Sequence, residues 1–182
     1  MIISSIINKI KIRIYWRRLY KKDQNEWRIE KLRSWGARIG SGCLIFSMEF
    51  STEPYLVDIG NHVVISSGTQ LITHDGSVWL FREDYPNITN FGRISIGDNT
   101  FIGINCIILP NSKIGENCII GAGSVIRGDI PSNSVALGNP AKIIMKTSMM
   151  KQFLLHSKDR VDTKHMTRSE RECILRKHYN IS

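Results

Sequence analysis

A six-residue repeat runs through the middle of the chain and constrains its fold more than any other feature. From Ile96 the sequence reads IGDNTF IGINCI ILPNSK IGENCI IGAGSV IRGDIP, so an isoleucine opens each successive hexad. An earlier block, IGNHVV ISSGTQ LITHDG, begins at Ile59. The stretch IGSGCL from Ile39 resembles a degenerate first repeat. A period of six fits neither an α-helix nor a continuous alternating strand, but it fits a short strand plus a turn, repeated three times per coil.

Two positions of each hexad have a predicted structural role. The aliphatic residue that opens the hexad points into the coil, and the glycine that often follows it accepts a backbone geometry that a side chain would obstruct. The fifth position also faces the crowded interior near a corner, so it should be small. It holds Val63, Thr69, Thr100, Cys106, Ser112, Cys118 and Ser124.

The pattern therefore predicts an all-β core, a parallel β-helix built as a triangular prism over residues 39–146. Three hexads make one coil, and each coil is hydrogen-bonded to the next. The length of the coil predicts three stacked pairs: Ile96 with Ile114, Ile102 with Ile120 and Ile108 with Ile126.

The two ends of the chain differ in character from the repeats. In residues 1–38, isoleucines at near-helical spacing are mixed with lysines and arginines, which predicts a basic amphipathic helix. This helix either packs on the prism or a neighbouring subunit, which is the simpler interpretation, or lies against a membrane surface. In residues 147–182, Thr167 and Glu170 have the spacing of a capping box and predict a C-terminal helical extension.

The net charge of +9 is concentrated at those two ends. Residues 1–33 hold ten Lys and Arg against three Asp and Glu, and residues 142–182 hold ten against four, which leaves five basic and nine acidic residues between them. The repeats therefore lack a basic face, and no nucleic-acid-binding motif is present, so we expect no nucleic-acid partner. Charged residues interrupt the apolar N-terminus and no small-residue cleavage site follows, so we expect a cytoplasmic protein.

The four cysteines have a structural explanation. Cys43, Cys106 and Cys118 occupy the small fifth position of their hexads, where a thiol acts as a compact apolar group. Cys173 lies in the C-terminal extension. Without a CxxC motif, and in a cytoplasmic setting, we expect neither a disulfide nor a zinc site.

The repeat breaks directly after His74. Leu71 opens one hexad and Ile96 opens the next recognisable run, 25 residues later where six would suffice, so a loop over residues 75–92 leaves the prism. A histidine on a rigid strand end, at the root of a loop rich in aromatic residues, is both held in place and covered. A general base requires this arrangement.

These residues resemble the hexapeptide-repeat acyltransferases, and among them the sugar and polysaccharide O-acetyltransferases that include galactoside, maltose and xenobiotic acetyltransferases. The resemblance covers roughly residues 39–146 and is carried by the hexads, by His74 with its loop, and by the closing SVIRGDIPSNSVALGNPAKII. It implies a left-handed β-helix, a homotrimer, and acetyl-CoA as the cosubstrate. It also implies direct transfer of the acetyl group without an acyl-enzyme, with His74 as the general base.

The resemblance also implies which residues bind coenzyme A, in a groove between neighbouring subunits. Basic residues near the phosphate end suit its anionic groups. Two positions depart from the usual pattern. Many relatives have tryptophan in place of Phe101 and a small polar residue in place of Ile104. The implied positions are Phe101, Ile104, Ala122, Arg127, Lys142 and Lys146.

Three residues of the loop are candidates for further roles. Asp75 follows His74 directly and is predicted to orient the ring if the chain turns at Gly76; the alternative is a turn-forming Asp-Gly. Trp79 and Arg82 are candidates for contact with the acceptor, since an aromatic ring stacks on a sugar and a guanidinium meets an anionic one. His62 lies at the outward fourth position of its hexad and is interpreted as a surface residue.

The sequence thus favours an acetyl-CoA-dependent O-acetyltransferase that acts on a sugar hydroxyl, in surface polysaccharide (O-antigen or capsule) synthesis at the inner face of the membrane. A xenobiotic acetyltransferase and an amino-sugar N-acetyltransferase are alternatives, as is a structural or binding β-helix without activity. A zinc-dependent γ-class carbonic anhydrase needs three histidine ligands, but the repeats contain only His62 and His74. A serine acetyltransferase has a much larger helical N-terminal domain than residues 1–38 supply.

Overall fold

A computed structural model of the chain describes residues 22–181. The isoleucine-rich helix predicted for the N-terminus lies outside these residues, apart from its last part. The chain divides into two compact units, the first ending at Thr147 and the second beginning at Ser148.

The first unit consists of a helix followed by short strands. Helix α1 spans Lys22–Ser34, and two 3₁₀ helices lie at Pro54–Leu56 and Gly76–Phe81. The strands are β1 (Arg38–Ile39), β2 (Leu44–Ile45), β3 (Val57–Ile59), β4 (Val64–Ile65), β5 (Gln70–Leu71), β6 (Ile94–Ile96), β7 (Phe101–Ile102), β8 (Ile107–Ile108), β9 (Lys113–Ile114), β10 (Ile119–Ile120), β11 (Val125–Ile126), β12 (Asp129–Ile130), β13 (Ser134–Leu137) and β14 (Lys142–Lys146).

The strands form three sheets that the chain visits in turn. Sheet A has the order β1-β3-β6-β9-β12, sheet B the order β14-β13-β10-β7-β4-β2, and sheet C the order β11-β8-β5. Neighbouring strands are parallel, except that β13 and β14 are antiparallel. Because the chain passes from sheet A to B to C and back, each circuit is one coil of a parallel β-helix with three faces.

The stacked pairs predicted from the repeat are confirmed by the register of the strands. Ile96 lies opposite Ile114, Ile102 opposite Ile120, and Ile108 opposite Ile126. The earlier block continues the same three columns, which are completed by Ile59, Ile65 and Leu71. One isoleucine column per sheet therefore forms the core of the prism.

The small fifth positions are buried as expected. The seven side chains at this position are at most 2% exposed. The polar ones are satisfied by the backbone of the next coil: Thr69 Oγ1 donates to Gly103 O at 2.7 Å, and Cys106 Sγ to Gly121 O at 3.2 Å. These bonds tie neighbouring coils together without adding volume to the interior.

The glycine at the second position lies where a side chain would be obstructed, as expected, and the obstacle is the backbone of the next coil. Gly97 does not have a positive φ, but a Cβ on it would lie 2.7 Å from the backbone nitrogen of Glu116 in the next coil. The left-handed conformation occurs two residues later, with φ of 54° at both Asn99 and Asn117. Glycine therefore permits the close approach of neighbouring coils, while asparagine makes the turn.

Helix α1 covers the first coil. Leu32 and Ile29 are buried in the same core cluster as the strand isoleucines. The Asn25 side chain accepts a hydrogen bond from Ile45 N at 2.7 Å and donates one to Cys43 O at 2.9 Å, and Arg28 Nε donates to Ile45 O at 2.6 Å. These bonds satisfy the outer edge of β2, which is the last strand of sheet B within the described residues.

The C-terminal part contains one element that the repeat did not predict. Strand β14 turns back after β13 and pairs with it antiparallel, with Leu137 opposite Lys142. Beyond it lie α2 (Thr147–Leu155) and α3 (Arg168–His178). The capping box at the start of α3 is confirmed, since Thr167 and Glu170 bond each other's backbone N–H groups.

Candidate active site

The loop leaves the prism between sheet C and sheet A and is closed at its root by backbone pairing. His74 and Phe91 form an antiparallel bridge. On either side, Asp75 N donates to Asn90 O at 2.9 Å and Gly92 N donates to Thr73 O at 2.8 Å. The backbone of His74 is thus fixed from both sides, although it stands where the repeat is interrupted.

The imidazole of His74 is anchored through one ring nitrogen. Its Nδ1 lies 3.0 Å from Glu53 Oε2 and 3.0 Å from Ser51 Oγ. The ring meets Phe91 edge to face, with centroids 6.4 Å apart. The side chain is 41% exposed, so it is held without being buried.

Glu53 is itself fixed by its neighbours. Thr73 Oγ1 donates to its Oε2 at 2.7 Å, and Thr52 Oγ1 donates to its Oε1. Desolvation raises the pKa of this carboxyl, but the hydrogen bonds from Thr52, His74 and Thr73 together outweigh it and lower the pKa below its usual value. Glu53 is therefore ionised at neutral pH, next to the ring.

An ionised carboxylate beside Nδ1 determines which ring nitrogen is available for chemistry. A carboxylate accepts hydrogen bonds and does not donate them, so the contact with Glu53 requires a proton on Nδ1. In the neutral imidazole, Nε2 then carries the free lone pair. The geometry suits a general base that accepts a proton at Nε2 while Glu53 stabilises the imidazolium that forms.

The prediction that Asp75 orients the ring is corrected by this arrangement, because Glu53 makes that contact. Asp75 instead caps the 3₁₀ helix Gly76–Phe81, with its Oδ1 accepting from Ser77 N at 2.9 Å. The pKa of its carboxyl is lowered first by the bonds from Ser77 and to a smaller extent by the charges of Arg127 and His74. Asp75 therefore has the geometry of the alternative interpretation, a turn-forming Asp-Gly.

The two residues predicted to contact the acceptor lie together on the loop. The guanidinium of Arg82 stands 6.0 Å from the ring centroid of Trp79, and the Trp79 side chain is 76% exposed. Their contact with each other holds the outer part of the loop. Their role towards an acceptor stays a prediction.

Three of the predicted coenzyme residues lie on sheet B and on the corner that follows it. Phe101 is on β7 and is 44% exposed. Ile104 and Ala122 lie on neighbouring coils where the chain passes from sheet B to sheet C, linked through the bond from Gly123 N to Ile104 O at 2.8 Å. Lys142 and Lys146 are exposed on β14, at the end of the same sheet.

Arg127 lies on a different edge of the prism. It follows β11, where the chain passes from sheet C to sheet A. His74 lies at the same edge two circuits earlier, after β5. The positive charge of Arg127 contributes to the lowered pKa of Asp75, at the root of the loop. Within one chain, the predicted site residues therefore form two groups, separated by the face of sheet C.

The remaining expectations concern metals, thiols and membranes. Across residues 22–181, no group of three or more His, Cys, Asp or Glu side chains is arranged to hold a metal ion. Cys43, Cys106 and Cys118 are buried free thiols, and Cys173 is an exposed one. None of the helices in this range is both long and apolar enough to cross a bilayer.

Comparisons with known proteins agree on one family. Residues 93–128 match "Bacterial transferase hexapeptide (six repeats)", and residues 112–145 match "Hexapeptide repeat of succinyl-transferase". Protein CapG of Staphylococcus aureus is 45% identical over 161 residues, which cover 87% of this chain and 91% of CapG.

Two solved structures extend the likeness to three dimensions. A maltose O-acetyltransferase from Clostridium difficile 630 has a TM-score of 0.51 at 28% identity. The alignment covers 75% of this chain and 87% of the maltose O-acetyltransferase chain. A hexapeptide-repeat containing acetyltransferase from Vibrio cholerae has a TM-score of 0.55 at 22% identity over 74% and 86% of the two chains, and this likeness concerns the fold alone.

Both family matches fall inside the prism, on the hexads whose isoleucines form its core. The alignment with CapG extends well beyond them, to most of the chain. The chain therefore belongs to the hexapeptide-repeat acyltransferases and is an acetyltransferase of that family.

Proposed function

We propose that this protein transfers the acetyl group of acetyl-CoA to a hydroxyl group of a sugar, as a step in surface polysaccharide synthesis. The observation that carries the proposal is the pair formed by His74 and Glu53, since it leaves a free basic nitrogen at the root of a loop. The maltose O-acetyltransferase to which the chain is similar supports a sugar as the acceptor.

The chemistry follows from the tautomer of His74. A sugar hydroxyl is a poor nucleophile at neutral pH, so His74 Nε2 takes its proton as the oxygen attacks the thioester carbonyl carbon. The C–S bond then breaks, and the thiolate of coenzyme A recovers the proton from the imidazolium. General-base assistance of this kind contributes about 10²–10⁴-fold to the rate.

The assembly that we propose is a trimer of left-handed β-helices. The two groups of site residues lie on different edges of one prism, so a groove between subunits would bring His74 of one chain near Phe101 and Ala122 of another. Lys142 and Lys146, exposed on β14, supply positive charge for the phosphates of the coenzyme.

The test is the variant His74→Asn, assayed by thiol release from acetyl-CoA with a panel of methyl glycosides, serine and chloramphenicol as acceptors. Loss of the base should lower kcat by about 10²–10⁴-fold. The Kd for acetyl-CoA, measured by calorimetry, should stay within a few-fold of the parent value. The free energy of unfolding should change by less than about 1 kcal/mol, because the ring is outside the packed interior.

The matched control is His62→Asn. His62 is exposed and has a φ of 54°, a conformation that asparagine adopts readily, as it does at the same hexad position elsewhere in the chain. This variant should keep full activity. Retention of most activity by His74→Asn would assign the base to another residue, and transfer to serine or chloramphenicol alone would replace the sugar as acceptor.

A further inference from the structure

Two side chains compete for the same ring nitrogen of His74. Its Nδ1 lies 3.0 Å from Glu53 Oε2 and 3.0 Å from Ser51 Oγ. One ring nitrogen either donates a single proton or accepts one, so it bonds one of these two partners at a time. The two distances are equal and favour neither partner. Whatever decides between the two contacts therefore also decides where the ring carries its proton.

The two contacts have different consequences for the neutral imidazole. A carboxylate only accepts, so the bond to Glu53 places the proton on Nδ1 and leaves the lone pair on Nε2. A serine hydroxyl also donates. When Ser51 donates to Nδ1, that nitrogen is unprotonated and the proton of the ring lies on Nε2. In this second tautomer Nε2 has no lone pair to accept the proton of an attacking hydroxyl, so the ring is inactive as a base.

The backbone of Ser51 is fixed beside the ring. Ser51 N donates to Leu71 O at 3.1 Å, and the preceding residue, Phe50, forms a parallel bridge with Leu71. Leu71 is itself fully buried in the core of the prism. The hydroxyl of Ser51 therefore stays within reach of Nδ1 and takes the place of the carboxylate whenever Glu53 moves away.

Thr73 holds the carboxylate oxygen that competes with Ser51. Its Oγ1 donates to Glu53 Oε2 at 2.7 Å, and this is the same oxygen that accepts from His74 Nδ1. The Thr73 side chain is 0% exposed, and its backbone oxygen accepts from Gly92 N at 2.8 Å at the root of the loop. Thr52 differs, because it is exposed and bonds the other carboxylate oxygen, Oε1.

We propose that Thr73 is a positioning residue that selects the tautomer of His74. By fixing Glu53 Oε2 beside Nδ1, it keeps the proton of the neutral ring on Nδ1 and prevents Ser51 from donating there. The inference rests on the proposed role of His74 as the general base. It adds a residue that acts only through Glu53.

The test combines ¹⁵N NMR of the neutral imidazole with kcat for Thr73→Val, which removes the hydroxyl and keeps a similar shape. The signals of His74 are those that are absent from His74→Asn. The parent should show a protonated Nδ1 and an unprotonated Nε2, and Thr73→Val should show the reverse. If about one ring in ten keeps the active tautomer, kcat falls by about tenfold.

Two further variants of Thr73 show whether the hydroxyl is responsible. Thr73→Ser keeps it and should retain both the parent tautomer and most of kcat. Thr73→Ala removes the same hydroxyl with a smaller side chain and should change the tautomer as Thr73→Val does, so the test does not depend on how valine packs. The Kd for acetyl-CoA should stay within a few-fold in all three variants.

Ser51→Ala provides the sharpest comparison, because it removes the competing hydroxyl. Added to Thr73→Val, it should return the proton to Nδ1 and recover most of the lost kcat. A merely structural role of Thr73 predicts instead that the losses of the two variants add. Thr52→Val is the matched control, since it removes a hydroxyl from the other oxygen of the same carboxylate and should leave the tautomer unchanged.

The proposal would be overturned if Thr73→Val kept the parent tautomer, or if the double variant were no more active than Thr73→Val. The two measurements also separate the inference from the function on which it rests. A changed tautomer with an unchanged kcat would support the role of Thr73 and remove His74 as the base. A lowered kcat with an unchanged tautomer would leave His74 as the base and overturn the selection by Thr73.

Discussion

The two histidines of the repeat region differ in what holds them. His62 Nδ1 bonds the side chain of Asn99 at 2.8 Å, within a column of turn residues that continues to Asn117. His74 Nδ1 bonds an ionised carboxylate that is itself held by two threonines. Both contacts require a proton on Nδ1, because an amide oxygen and a carboxylate only accept hydrogen bonds. Only the carboxylate also stabilises a positive charge on the ring, because an amide oxygen carries no net charge.

The variant Glu53→Gln tests this difference through kcat. The pKa of the native carboxyl is lowered by its hydrogen bonds from Thr52, His74 and Thr73, so the group is charged across the working range. The amide keeps an oxygen that can accept from Nδ1 but carries no charge to stabilise the imidazolium that forms during transfer. In the thiol-release assay, kcat should therefore fall by about 10–100-fold, as for loss of a group that orients a ring.

The control for this variant is Asp75→Asn, which removes a carboxylate next to His74 in sequence but not from Nδ1. Its effect on kcat should be small, since its main partner is Ser77. A larger loss of kcat for Asp75→Asn than for Glu53→Gln would restore Asp75 as the orienting residue.

At the scale of the elements, the spacing of the coils depends on residues that have no side chain. The strands are two to five residues long, so they owe their stability to the coils above and below them. Each second-position glycine brings its coil against the backbone of the next one. A Cβ at Gly103 would lie 2.6 Å from Ala122 N, in the same way as at Gly97.

Gly97→Ala should destabilise the protein by about 1–3 kcal/mol, since the added methyl group forces neighbouring coils apart. Gly76→Ala is the matched control because nothing lies within 4 Å of its Cβ position; its stability should change by less than about 0.5 kcal/mol. Urea denaturation of the two variants measures both effects. Equal free energies of unfolding for Gly97→Ala and Gly76→Ala would contradict this prediction, because they would show that neighbouring coils accommodate the methyl group without loss of stability.

At the scale of the whole prism, two of the three outer faces differ in chemistry. Sheet A presents charged residues, with Asp58 bound by Arg38 and Arg93, so that the pKa of this carboxyl is lowered, chiefly by the hydrogen bond from Arg38. Sheet B presents the apolar side chains of Leu44 and Phe101, which are 46% and 44% exposed. Exposed apolar side chains in one row favour contact with another copy of the chain.

The proposed trimer predicts a mass of three times 20.8 kDa in light scattering. Leu44→Lys adds a charge to the face of sheet B and should shift the protein towards monomers. Ser95→Lys adds the same charge to the face of sheet A and should leave the trimer intact. A monomeric parent protein, or one whose assembly is insensitive to Leu44→Lys, would contradict the proposed interface.

The sequence by itself determined the features that depend on a regular period. The opening isoleucines and the small fifth positions repeat every six residues, so their stacking and burial follow from counting. The interruption after His74 and the capping box of Thr167 and Glu170 are equally local. Each of these depends on the distance along the chain between a few residues, which is visible without a structure.

The tertiary structure alone decided which side chains meet across coils where the period fails. Glu53 lies 21 residues before His74, a separation that is no multiple of six, because the irregular segment with the 3₁₀ helix Pro54–Leu56 intervenes. The same segment follows Ser51, whose hydroxyl lies 3.0 Å from Nδ1 of the same His74 ring. Asp75, adjacent in sequence, faces away from the ring because neighbouring residues of an extended chain point to opposite sides.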